Sequence, residues 1–304
     1  MVETQEIAGL GWIPDRFSFK DYSEDNENVK PLLMRVPLLS GAIGKEKNTV
    51  PSIDPKCDRR KEFTRVRNQG ELGSCTAFAA AGLIQYMQRQ AFGSYTELST
   101  RFIYKVTRNL LKWTGDTGAF LRSAMGTLTL FGAPPEEFWL YNGKRADINM
   151  DFDQEPSAFC YAFGQNYQAI KYVRLDQPNI PTKKLVEIIK KYIFSGLPSM
   201  FGFTCYESLR ESNSNGGQIP FPNRREGIIG GHAVTIAGYD DNKEIKNSNA
   251  DEPTVGAFLI KNSWGTDWGE KGFGWLPYEY VTSGEATDFW VVISEEWVNN
   301  IQFK

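Results

Sequence analysis

Residues 74–90, SCTAFAAAGLIQYMQRQ, are apolar on nearly every side, and a helix of that composition is stable only at the centre of a domain, walled in by other elements. Ser74 stands where an N-cap is expected. A chain carrying such a helix needs enough material to surround it. With 304 residues, 41% of them hydrophobic and 23% charged, this chain has it, and at roughly 150 residues per domain it reads as two packed lobes or one large domain. The uncharged stretch around the helix, residues 72–88, contains Ser74, Thr76, Gln85 and Gln88 and is too short and too polar for about 30 Å of hydrocarbon.

The first 50 residues differ from the rest. A polar acidic patch at 21–30 leads into an apolar run, PLLMRVPLL at 31–39, where Pro31 and Pro37 favour an extended path over a helix. Residues 41–48 read as a turn-rich linker, which places the start of the main body near Val50, with 1–50 as an extension and 51–304 as the principal domain. A second helix is expected over 182–195, where Leu185, Ile188, Ile189 and Ile193 recur above a lysine-rich face and Gly196 and Pro198 end the run. Two strands, 232–239 and 255–260, flank a polar hairpin loop at 240–254. Antiparallel pairing about residue 247 sets His232 opposite Asn262.

A net charge of −3, from 34 basic and 37 acidic residues, offers no footprint for a phosphate backbone or an anionic membrane surface. Nucleic acid and membrane are therefore not expected as partners. Cys57, Cys75, Cys160 and Cys205 lie far apart and there is a single histidine, so a zinc site lacks ligands and no metal is implied. The absence of a basic leader with an apolar run, together with at most one possible bridge among the cysteines other than Cys75, points to a reducing, cytoplasmic setting.

A nucleophile that needs an imidazole base has one choice here, His232. Cys75 opens the buried helix, where backbone N–H groups and the helix dipole favour a thiolate. An imidazole beside it deepens the effect, and Asn262 is placed to hold the ring's other nitrogen. Gln69, shortly before Cys75, can join its side-chain amide to the Cys75 N–H in holding an oxyanion, and Trp264 can cover the His–Asn hydrogen bond from water. Each feature alone also fits a structural role: an inert buried cysteine, a packed histidine, a turn with a seated indole, a glutamine tying down a loop.

Four blocks in order, RNQG at 67–70, GSCTAF at 73–78, GHAV at 231–234 with GYD at 238–240, and KNSWGTDWG at 261–269, resemble the motifs of papain-like cysteine peptidases over roughly residues 50–280. GWIPD at 11–15 with DY at 21–22 resembles the shorter, xylellain-like bacterial branch. The resemblance implies an α+β, papain-like two-lobe fold, with a helical lobe over about 60–165, a β-barrel-like lobe over about 166–295 and the active-site cleft between them. It implies Cys75 as nucleophile, His232 as base and acid, Asn262 as orienter and Gln69 as oxyanion donor, with a thiolate–imidazolium pair by analogy. The expected reaction is peptide-bond hydrolysis through a thioester acyl-enzyme, without a cofactor, on a peptide or protein substrate by a monomer.

GDTGAF at 115–120 resembles the segment that pairs with the substrate backbone, with Gly118 and Ala119 in the pairing positions. Phe120, Gly231 and Ala233 would then line a roomy apolar pocket, suited to an endopeptidase preferring a bulky hydrophobic residue two positions before the scissile bond. One departure is LGSCT at 72–76, where the cysteine that usually starts a family disulfide is Leu72. A transpeptidase or amidase on the same machinery, and a non-catalytic binding protein on a protease fold, are the alternatives. Residues 1–50 occupy the place of a prosegment, and the run 31–39 is expected either to lie across the cleft or to strap the β-rich lobe.

Overall fold

The structure, a computed structural model, describes residues 9–36, 38–39, 53–143, 152–250 and 252–297. The linker read at 41–48 and the boundary at Val50 lie outside these residues. The helices are α1 (Lys30–Leu33), α2 (Cys75–Phe92), α3 (Thr100–Leu111), α4 (Leu121–Leu130), α5 (Ala158–Gly164), α6 (Thr182–Phe194) and α7 (Glu279–Thr282). The strands are β1 (Lys56–Asp58), β2 (Tyr167–Arg174), β3 (Ser199–Tyr206), β4 (Ile228–Ile245), β5 (Thr254–Lys261), β6 (Phe273–Pro277) and β7 (Ala286–Trp297). They form one antiparallel sheet in the order β2-β7-β3-β4-β5-β6, with β1 added along β4. The chain is thus α+β, with α2 to α5 packed to one side and the sheet, backed by α6, to the other.

Helix α2 is the element the rest is built around. Every residue from Cys75 to Tyr86 is buried, and the helix packs against α3 and α4 on one side and β4 on the other. It stops at Gly93, whose φ of +72° lets its N–H turn back to the Arg89 carbonyl. Ser74 occupies the N-cap position but its hydroxyl does not cap the helix; it lies 2.6 Å from the Tyr141 hydroxyl instead.

Strand β4 spans both halves of the sheet. Its first half pairs with β3, setting His232 opposite Phe203, and its second half pairs with β5, setting Thr235 opposite Lys261. The hairpin expected from the sequence is present, but the strands extend to Ile245 and back from Thr254, so the polar stretch at 240–254 is paired at its two ends. Bulges between Ile236 and Gly238 and between Asp240 and Glu244 shift the register. The ladder therefore closes at Lys261, and His232 and Asn262 are not ladder partners; they meet through their side chains beyond its end.

The run at 31–39 is not extended. Pro31 lies in the first turn of α1, where a missing N–H removes no intrahelical bond and a fixed φ suits the helix. Val29, Leu33 and Leu39 are buried in the same core as Leu185, Ile189 and Ile193 of α6 and Phe289 and Val291 of β7. This segment is a strap on the sheet side of the molecule, and the cleft is filled by a different part of the chain. Leu33→Ala should lower the unfolding free energy by about 2–5 kcal/mol, the range for truncating a buried leucine, read as a lower urea midpoint at unchanged slope. A change below about 0.5 kcal/mol, the range of surface substitutions, would show that the strap is not part of the core.

Candidate active site

Cys75 is the first residue of α2, and its sulfur faces the backbone N–H groups of Ala233, Gly11, Thr76 and Cys75 itself. Ala233 follows His232 on β4, so helix and sheet converge on the thiol. His232 Nε2 lies 2.8 Å from Asn262 Oδ1, while Nδ1 has no hydrogen-bond partner. Asn262 Oδ1 also accepts from the Ser263 N–H at 2.7 Å, which fixes the amide in the orientation that presents its oxygen to the ring. Trp264 stacks on the imidazole with centroids 4.4 Å apart, and Trp268 meets Trp264 edge-on. The indole face thus covers one face of the imidazole.

Gln69 is fully buried and held from three directions. Ser263 Oγ donates to its Oε1 at 2.5 Å, which settles the amide so that Nε2 points the other way, to the carbonyls of Gly9 at 2.6 Å and Leu72 at 2.8 Å. Tyr141 Oη donates to the Gln69 carbonyl at 2.6 Å, leaving Ser74 Oγ as the donor to Tyr141. Ser263 and Tyr141 are positioning residues that the sequence reading did not single out. Ser263 was legible as the neighbour of Asn262; Tyr141 carries no local signal.

The cleft is occupied by the chain's own residues 9–13. Ala119 donates its N–H to the Gly11 carbonyl at 2.9 Å and accepts from the Ile13 N–H at 3.2 Å, and the Trp12 N–H reaches the Gly231 carbonyl at 3.0 Å. Gly118, at φ +75°, lets the segment approach, since a Cβ there would lie 2.2 Å from the Gly11 carbonyl oxygen. Gly11 passes so near Gly73 that a Cβ on it would lie 1.9 Å from the Gly73 oxygen. The Trp12 indole rests against Gly202 and Gly231, where a Cβ would fall within 1.9 Å and 2.8 Å of its ring, and packs in one core with Ala233 and Met200. Phe120, expected in the same pocket, tilts onto Trp113 at 5.2 Å.

Charge anchors this segment beyond the cleft. Asp288 Oδ2 accepts from Trp12 Nε1 at 3.2 Å and from the Asp15 N–H at 3.0 Å, while its Oδ1 lies 2.9 Å from Arg174 Nη2. Arg122 pairs with Asp15 and with Asp21, the latter at 2.7 Å, and donates to the Arg16 carbonyl. Burial raises the Asp288 carboxyl to about 6 against the pull of Arg174.

Burial acts on both members of the catalytic pair. Burial pushes the Cys75 thiol up to about 11, with the backbone N–H groups around the sulfur offsetting part of the rise. Burial pushes the His232 imidazole down to about 4, with the Asn262 hydrogen bond opposing. Burial thus opposes the charged form of each group, and so works against the thiolate–imidazolium pair expected by analogy.

The four cysteines are free, and among the described residues no cluster of three or more His, Cys, Asp or Glu is arranged to hold a metal. No helix among them is long and apolar enough to cross a membrane.

A thiol at the start of a buried helix, an Asn-held imidazole on an adjoining strand and a buried glutamine on the turn leading into that helix define a cysteine peptidase. A sequence profile described as "Papain family cysteine protease" matches residues 51–289, and the chain belongs to that family. It is similar to xylellain, a cysteine protease from Xylella fastidiosa, with 31% identity, a TM-score of 0.73, and coverage of 96% of this chain and 97% of that one. An uncharacterized peptidase C1-like protein of Acanthamoeba polyphaga mimivirus is 31% identical over 260 residues, 82% of this chain and 78% of the other. Cathepsin J of Mus musculus is 28% identical over 223 residues, 71% of this chain but 58% of that protein.

With one histidine, the imidazole resonance can be titrated without assignment ambiguity. In the full-length protein it should remain neutral until the pH nears 4, against about 6.5 for a free histidine. The unfolded or opened chain binds that proton more readily, so this group makes the closed form lose stability as the pH falls from about 6.5 towards 4. A titration midpoint near 6.5 in the intact protein would contradict the buried, neutral ring.

Proposed function

We propose that the protein cleaves peptide bonds through a thioester formed on Cys75, and that residues 9–15 hold it latent until they are displaced. The observation that carries the first part is the spent Nε2 and free Nδ1 of His232, which leave one nitrogen available to a thiol at the start of α2. With the cleft open, water restores the charged pair. The Cys75 thiolate attacks the substrate carbonyl carbon, and the oxyanion is held by Gln69 Nε2 and the Cys75 N–H. The tetrahedral intermediate collapses as His232 gives its proton to the leaving amine, and the thioester remains. His232 then takes a proton from water, which attacks the thioester and releases the acid and the thiolate. Asn262 holds the ring through both proton transfers.

The second part rests on what the segment occupies. Gly9 holds the Gln69 amide with its carbonyl, and Gly11 offers the sulfur an N–H rather than a carbonyl carbon. Oxyanion donor and nucleophile are thus engaged by residues two apart, and no single peptide bond is set for attack. Residues 1–50 form a prosegment-like extension in this reading, ahead of a peptidase body at 51–304 with lobes at about 60–165 and 166–295. A substrate would pair with Gly118 and Ala119 once the segment leaves, and the seat of the Trp12 indole supports a preference for a bulky side chain two positions before the scissile bond.

Cys75→Ala and His232→Ala should each abolish turnover of a peptide substrate, Asn262→Ala should retain residual activity, and Gln69→Ala should lower kcat by about 10²- to 10³-fold. Near wild-type turnover by the Cys75 variant would dismiss the mechanism. Gly11→Ala places a methyl group against the Gly73 backbone and should expel the segment. The full-length variant should hydrolyse small peptides at least about tenfold faster than wild type, which corresponds to about 1.4 kcal/mol off the closed form. An unchanged rate with labelling of Cys75 by a thiol-reactive peptide equally fast in both proteins would show that the segment does not inhibit.

A further inference from the structure

The pocket that holds Trp12 has a polar floor. Gly202 of β3 and Gly231 of β4 leave room for the indole, and at its end stands Asp288, fully buried, with a φ of +61° that turns its carboxylate into the space. The two carboxylate oxygens are committed differently. Oδ1 belongs to Arg174, which is itself buried and also pairs with Asp176; Asp176 in turn accepts the Asp288 and Phe289 N–H groups, so this side is fixed within the body of the protein. Both donors to Oδ2, the indole N–H of Trp12 and the main-chain N–H of Asp15, come from the segment proposed to leave. Its departure strips a buried carboxylate oxygen of every hydrogen bond the structure gives it, facing an emptied slot of indole size.

We propose that this pocket selects substrates carrying a large aromatic side chain with an N–H donor at its tip, tryptophan above all, with Asp288 as the specificity-determining acceptor. This rests on the peptidase reading and refines its bulky apolar pocket. Phenylalanine or leucine fills the same walls but leaves Oδ2 desolvated and unpaired, and a site built to receive a donor rejects analogues that lack one far more strongly than it distinguishes sizes. A cationic tip is less suited than a neutral one. Displacing residues 9–15 takes away Asp15 but leaves Asp21, so Arg122 and Arg174 stand near the pocket against Asp21, Asp176 and Asp288. The two guanidiniums offset most of the carboxylate charge and sit closest to the oxygens a cationic tip would seek. A side-chain pocket reads its occupant whichever way the main chain runs, so Trp12 reports what the slot holds.

The test uses the full-length Gly11→Ala variant, in which the segment is expelled and the slot with it vacated, and peptides that differ only two positions before the scissile bond: tryptophan, 1-methyltryptophan, phenylalanine, leucine and arginine. Tryptophan should exceed phenylalanine and 1-methyltryptophan in kcat/KM by about ten- to a hundredfold, the range for a hydrogen bond to a charged group. Asp288→Asn tolerates the positive φ and should turn its amide oxygen to Arg174 and its NH₂ into the slot, collapsing the tryptophan advantage to about threefold or less. The methylated indole removes the donor with the enzyme unchanged and decides the matter even where the Asp288 variant does not fold. Equal rates for tryptophan and its methyl derivative, or arginine ranking first, would overturn the proposal while leaving the peptidase reading intact. Failure to cleave any of the five, together with failure of a peptidyl epoxide to label Cys75, would instead strike the peptidase reading.

Discussion

The burial of α2 on all sides is the constraint on which the rest depends. A helix with no solvent face must be enclosed, and here the enclosure comes from α3 and α4 on one side and β4 on the other. The thiol at its first residue is then held between a helix terminus that favours negative charge and a strand that carries the single histidine. Because the two groups belong to different layers, their separation is set by packing of whole elements rather than by a local turn, and two hydrogen bonds between Ser263 and Gln69, one side chain to side chain and one main chain to main chain, tie the layers at the same point.

Much of this was legible in the sequence because it rested on short-range physics. The all-apolar run at 74–90 and the three- and four-residue spacing of Leu185, Ile189 and Ile193 gave helices within a few residues of their observed limits. Family motifs placed Cys75, His232, Asn262 and Gln69, and the structure brings His232 and Asn262 into contact. The hairpin register was misread because a bulge adds a residue to one strand without changing the hydrophobic pattern on which a register guess depends. Pro31 was read as a helix breaker when its position in a first turn made it harmless. The apolar stretch 31–39 was read as lying either across the cleft or as a strap on the β-rich lobe; it is the strap, and the cleft holds residues 9–13, whose qualification is the small size of Gly9 and Gly11 around a single tryptophan. Nothing local to Asp288 or Arg122 marks them either, since their partners are more than a hundred residues away in sequence.

Electrostatics and packing divide the work of holding the N-terminal segment. Trp12 supplies the apolar area, and the Arg122 and Arg174 guanidiniums bind a group of four carboxylates, two from the segment and two from the body. Exposed ion pairs contribute little, but Asp21, Asp288 and Arg174 are buried, and a buried charge left without its partner is expensive. The grip is therefore cooperative: loss of one member leaves another uncompensated, so the segment is held as a unit rather than contact by contact.

The N-terminal region is fastened at two places on different surfaces, by Trp12 and Asp15 at the cleft and by Val29, Leu33 and Leu39 in the core beneath α6. While the chain between them is whole, the cleft-bound part is an intramolecular ligand whose effective concentration is on the order of millimolar, whatever the concentration of the protein. A single break between residues 16 and 29 would leave the strap in the core and turn the cleft-bound piece into a free peptide subject to dilution. In a dilute solution the same contacts would then face a far larger loss of translational entropy on rebinding, and a reversible closure would become a one-way release.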